Sequence, residues 1–197
     1  MPPNWRRGAS NESAPSRVTL LPSETLDGGQ VLCLDLRDVT WYDVIGMELR
    51  SVVPNTHNAL CFRARADART PQIFVEVTER DGSRWSRAVD VSSEWQFYVL
   101  PTSTFLFKPD GAPPARGHQG DALHLPNGGR IALGLAKERT PVVGSRHTIQ
   151  IDDIGTTVAP AGLAAADRGL PFREAFDDYA VYALQDVARI RTYSAQN

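Results

Sequence analysis

The alternation of apolar and polar side chains between residues 60 and 105 constrains this chain more than any other feature. Leu60, Phe62, Ala64 and Ala66 fall on every second position, with Cys61, Arg63, Arg65 and Asp67 between them. That is the period of a strand with one buried face. Ile73, Val75 and Val77 then alternate with Phe74, Glu76 and Thr78. Asp81-Gly82 follows, a dipeptide that reaches positive φ readily, as a tight hairpin turn requires. The returning segment carries Trp85, Arg87, Val89 and Val91 on one face, and Ser92-Ser93 breaks it. Residues 94–100 predict a further strand that stops at Pro101. No helical period occurs in this stretch, so the chain is read as all-β, with consecutive antiparallel strands.

The flanks complete the pattern. Residues 1–16 are rich in Pro, Asn, Ser and Arg and predict an irregular entry, with Trp5 as its one candidate anchor. Residues 17–21 read as a short strand, Asp27-Gly28-Gly29 as a turn, and residues 31–36 as a strand with Leu32, Leu34 and Leu36 inward. Residues 40–49 are dense in large side chains, suiting either another strand, favoured after Ile45, or a loop that closes one end. Residues 108–130 hold Pro109, Pro113, Pro114, Pro126 and five glycines, the chemistry of a long loop. Beyond it, Ile131, Leu133 and Leu135 face inward, and Ala132, Gly134 and Ala136 are small enough to leave a shallow depression on the other face. Ile149 and Ile151 alternate until Asp152-Asp153, where a bulge accounts for the slip to Ile154. Residues 17–158 are therefore expected to form one sandwich. Residues 159–170 read as a linker and 171–197 as an appendage or the start of a following module, whose apolar residues fit a helix face and a strand alternation alike.

A net charge of −2 gives no electrostatic reason to expect nucleic acid. No apolar run approaches the roughly 20 residues that span a bilayer, and the first 17 residues are polar, so neither a membrane span nor a signal peptide is visible. Two cysteines, Cys33 and Cys61, are too few for a disulfide framework, although both sit between the apolar positions of their strands, where they could face each other across one sheet. Sets of residues that announce catalysis are missing: there is no nucleophile elbow, phosphate-cradling loop or zinc-protease motif. His118 and His124 are accounted for by loop polarity. Glu76, Glu79 and Glu94 could supply the two carboxylates of a glycosidase only if the fold converged them.

The order "LCFRARA", "VEVTERDGSRW", "EWQFYVLPTSTF", "RIALGLA" and "TIQIDDIG" resembles the galactose-binding-like jelly roll of carbohydrate-binding modules attached to bacterial glycoside hydrolases, over residues 5–158. The resemblance implies an antiparallel β-sandwich and a non-catalytic module that binds an oligosaccharide or polysaccharide, outside the cytoplasm, with a covalent neighbour domain. A glycosidase or polysaccharide lyase on the same fold, and a protein-interaction or assembly domain, are the alternatives. It also implies that Trp95 is the family's buried tryptophan, and that Asp152 and Asp153 mark the end at which such modules hold a structural calcium, with Glu12 and Glu24 as candidate partners by position. Sugars offer apolar faces to aromatic rings and hydroxyl edges to planar polar groups. If the strands of residues 60–66 and 73–78 are neighbours, Arg63, Arg65, Phe74 and Glu76 populate one concave surface and form the sugar site.

Overall fold

The computed structural model describes residues 5–22, 30–49, 52–109 and 116–159, together with the backbone of residues 182–183. The expected linker and appendage lie otherwise outside the described residues. Among the described residues twelve strands run in order: β1 Trp5–Ala9, β2 Arg17–Pro22, β3 Gln30–Arg37, β4 Tyr42–Glu48, β5 Ala59–Ala66, β6 Gln72–Glu79, β7 Arg84–Asp90, β8 Gln96–Pro101, β9 Leu106–Lys108, β10 Gly128–Ala136, β11 Arg146–Thr157 and β12 Tyr182–Ala183. One sheet has the order β1-β4-β10-β6-β7-β9, and the other β2-β3-β11-β5-β8, with β12 pairing β11. Every pairing is antiparallel, and the whole is a two-sheet β-sandwich with jelly-roll topology. The entry is less irregular than its composition implies, because β1 forms the edge of the first sheet and Trp5, 3% exposed, anchors it in the core.

The alternation read from the sequence places the core. Leu60, Phe62, Val75, Val77, Leu133, Leu135, Ile149 and Ile151 join one apolar cluster between the sheets, with Leu32, Leu34, Leu36 and Trp85. Inward faces of two sheets supply such a core about 10 Å thick. Phe62 and Tyr98, opposite each other on β5 and β8, stack with ring centroids 5.4 Å apart.

The tight turn forms at Asp81-Gly82, with Gly82 at φ 91° and the Asp81 carboxylate accepting from the Ser83 amide. The bulge forms too: the β11–β5 register shifts between Asp152 and Gly155, and Asp153 takes φ 50°. The cysteines do not face each other. Cys33 lies opposite Gln150 and Cys61 opposite Gly155, so β11 stands between them and both thiols are free. Burial pushes the Cys61 thiol far above its usual range.

One expectation fails, and it moves the site. Strands β5 and β6 are consecutive in the chain but belong to different sheets. The short connection between them crosses from one layer to the other, so Arg63 and Arg65 face outward from the second sheet while Phe74 and Glu76 face outward from the first. Alternation tells which residues share a face of a strand; it does not tell which strand lies alongside.

Candidate functional site: the outward groove of the first sheet

The outward face of the first sheet is hollow because its side chains are small. On β10 the outward positions are Arg130, Ala132, Gly134 and Ala136. Across from Ala132 stand Gly46 on β4 and Glu76 on β6, and across from Gly134 stand Val44 and Phe74. The depression expected from Ala132 and Ala136 is a cavity of about 800 Å³, whose other lining residues include Trp41, Tyr42, Phe74, Glu76, Arg84, Lys108, Arg130 and Glu138. Gly134 is a requirement of this floor: it sits at φ 153°, and an added Cβ would meet the Val44 Cα at 2.8 Å and run into the Asp43 carbonyl oxygen.

Phe74 has the outward face assigned to it, but it is no exposed platform. It is 3% exposed and packs with Val44, Ala132 and Ala136, and the Lys108 ammonium lies 5.7 Å from its ring centroid. The ring is part of the floor. The aromatics that solvent reaches are Trp41, 70% exposed, and Tyr42, 45% exposed, at one rim. Their backbone is pinned from two sides. The Ser10 hydroxyl accepts from the amides of Trp41 (2.9 Å) and Tyr42 (3.1 Å), and the Lys137 amide donates to the Trp41 carbonyl at 2.8 Å. An exposed indole on a fixed backbone is a surface already arranged for stacking, so less order is lost when something settles on it.

The groove's charges are largely paired. Arg84 grips Glu76 with two hydrogen bonds, Nε to Oε1 at 3.2 Å and Nη2 to Oε2 at 2.7 Å. Lys108 stands 3.8 Å from Glu76 and 2.5 Å from Glu138. Two acids in a cleft invite comparison with a glycosidase, but both carboxylates here are turned onto cations, Glu76 onto Arg84 and Lys108 and Glu138 onto Lys108. Glu79 is elsewhere: it is 2% exposed on the inward side of β6, where it accepts from Arg116, from the His124 amide and from Asn127 and so fastens residues 116–127 to the sandwich edge. Glu94 belongs to the turn before β8. The three acids weighed from the sequence therefore do not converge.

Arg63 and Arg65 lie outside the groove, on the opposite surface of the sandwich. Arg65 donates to Gln150 and stacks over Trp95, its guanidinium carbon 4.9 Å from the ring centroid. Trp95 is half-buried on this outer surface and does not belong to the core, which corrects its assignment as the buried tryptophan. Arg63 approaches Asp153 at 3.4 Å. Calcium takes six to eight oxygens. A carboxylate already facing a guanidinium beside its neighbour Asp152 supplies only the start of such a shell. Among the described residues no group of three or more His, Cys, Asp or Glu could hold a metal ion, and Glu24 lies outside them.

No family model matches the chain, and no curated protein sequence does. Solved structures do. The family 11 carbohydrate-binding module from Clostridium thermocellum, solved in complex with a β-1,3-1,4-mixed-linked tetrasaccharide, superposes with a TM-score of 0.58 at 18% identity, over 77% of this chain and 87% of that one. The solution structure of CtCBM11 gives a TM-score of 0.61 at 19% identity, over 80% and 90%. The chain has the fold of a carbohydrate-binding module. An exo-β-agarase shows the same likeness, with a TM-score of 0.55 at 15% identity; 81% of this chain corresponds to 24% of that enzyme.

Trp41, Tyr42, Arg84, Lys108, Arg130 and Glu138 escaped the sequence reading. For the first two a signal existed: two consecutive aromatics directly ahead of an alternating strand place one ring where the core cannot take it.

Proposed function

We propose that this domain is a non-catalytic carbohydrate-binding module, carried outside the cytoplasm, whose glycan lies along the outward groove of the first sheet. One observation carries the reading: a floor kept low by Ala132 and Ala136, with Gly134 between them on β10, is bounded by a pinned, solvent-exposed Trp41 beside Tyr42. Sugar rings need a flat apolar surface for their C–H faces and polar groups at the edges, and this groove provides the first in Trp41 and the second in Glu76, Arg84, Lys108 and Arg130. The module that binds a mixed-linked tetrasaccharide has the same fold, which supports the reading. Arg84 and Lys108 occupy the Glu76 carboxylate and Lys108 that of Glu138, which supports a binding role for the groove.

Titration calorimetry across a panel of oligosaccharides, with the parent and Trp41→Ala, tests this. Removing an exposed stacking ring should weaken binding by roughly 1–3 kcal/mol, with little change in thermal stability. Unchanged affinity in the variant would move the site away from the groove.

A further inference from the structure

We propose that the groove takes an acidic glycan, whose anionic substituent, a ring carboxylate or a sulfate ester, is received by Arg130. This rests on the groove being the glycan site. The groove's acids are engaged, Glu76 by Arg84 and Lys108, and Glu138 by Lys108. Arg130 has no acidic partner among the described residues. Glu48 is the residue directly across from it on β4 and shares its outward face, yet no ion pair joins them. Instead the Arg130 guanidinium lies over Gly46, where any Cβ would collide with it. Glycine at 46 thus leaves the guanidinium a seat against the backbone of the floor, facing the groove that Arg130 lines.

A second cation joins this corner. Arg6 on β1 stands opposite Gly46 in register, on the same outward face, exposed and with no acidic partner among the described residues. Arg130 and Arg6 thus flank Gly46 from the strands on either side, and like charges on neighbouring strands favour an anion between them. A planar fork of N–H donors matches the oxygens of a carboxylate or sulfate two at a time. A neutral hydroxyl edge uses acceptors as well as donors, and the carboxylates that line the groove are committed to cations while the donors of Arg130 are not. The local surplus of positive charge stands out in a chain whose net charge is −2.

The test uses oligogalacturonate, oligomannuronate and oligoguluronate, each against its carboxyl-reduced counterpart, and a sulfated galactan oligosaccharide against its desulfated form, titrated into the full chain. At least one acidic probe should bind tenfold or more tightly than its neutral partner, and added salt should shrink that preference. Arg130→Gln should abolish the preference, and Arg130→Lys, which keeps the charge and loses the fork, should retain only part of it. The arm that shows the preference identifies carboxylate or sulfate as the anion. If neutral and acidic partners bind equally, or Arg130→Gln keeps the preference, the inference is overturned. Trp41→Ala separates this from the groove itself: glycan binding that depends on Trp41 but ignores charge overturns only the acidic ligand. Binding indifferent to Trp41, or no binding to any probe, removes the groove and the acidic ligand together.

Discussion

The two outer surfaces of the sandwich come from the same period-two alternation and differ in what fills them. On the second sheet the outward positions of β5 and β11 carry long side chains: Arg65 lies against Gln150 and Trp95, and Arg63 faces Asp153. On the first sheet the outward positions of β4 and β10 carry glycine, alanine and valine, and the long side chains stand at the borders. One surface closes over itself and the other stays open. Alternation decides which residues leave the core; side-chain volume decides whether the surface they leave for can hold a ligand.

Removing the ring of Phe74 should have the largest effect. Phe74→Ala empties the floor where Val44, Ala132 and Ala136 pack, and should cost about 3 kcal/mol of stability by denaturant unfolding. A stability loss below about 1 kcal/mol would show that the floor is as exposed as the rim, and the contrast between the two surfaces would weaken. Next comes Arg65→Ala on the closed surface, expected to lower stability by about 0.5–1 kcal/mol through the lost stacking on Trp95 while leaving every glycan affinity unchanged. A drop in affinity there comparable to that of Trp41→Ala would place sugar on both surfaces.

The smallest effect is a pH dependence. His57 and His147 are buried, hydrogen-bonded to Thr156 and Thr70, and burial pushes both imidazoles below their ordinary value of 6.5. Below 6.5 the unfolded chain takes up protons that the folded chain refuses, so stability is present in full above that pH and declines as pH falls through the folded values. Melting temperatures from pH 8 to pH 5 should show this fall, and His147→Gln should flatten part of it. Neither histidine lines the groove, so glycan affinity should not follow the same curve.

Much of the fold was legible because burial is written locally. Leu60, Phe62, Val75, Val77, Leu133 and Ile149 announce their faces through their immediate neighbours, and the break at Asp152-Asp153 announces the bulge. Partner choice is not local. The connection between β5 and β6 looks like a link between adjacent strands and instead crosses between sheets, so Phe74 and Glu76 were assigned to the right face and Arg63 and Arg65 to the wrong surface. The exposure of Trp41 depends on how Ser10 and Lys137 hold its backbone, contacts from residues 31 before it and 96 after it. The pairing of Glu76 with Arg84 spans a hairpin and was within reach of the register; the seat of Arg130 over Gly46 spans 84 positions and was not.

The tight approach of β10 to β4 at Gly134 also bears on how such a groove changes its ligand over time. A single substitution there meets backbone, which cannot step aside as a side chain can, and Gly128 is similarly closed by the Leu125 carbonyl 2.9 Å away. The floor is thus a fixed datum, and diversification has to run through the border positions Trp41, Tyr42, Arg84, Arg130 and Glu138, where a new side chain alters shape or charge without lifting one strand off another. A mutant library aimed at new glycans would gain its viable members from those five positions and lose them at Gly134.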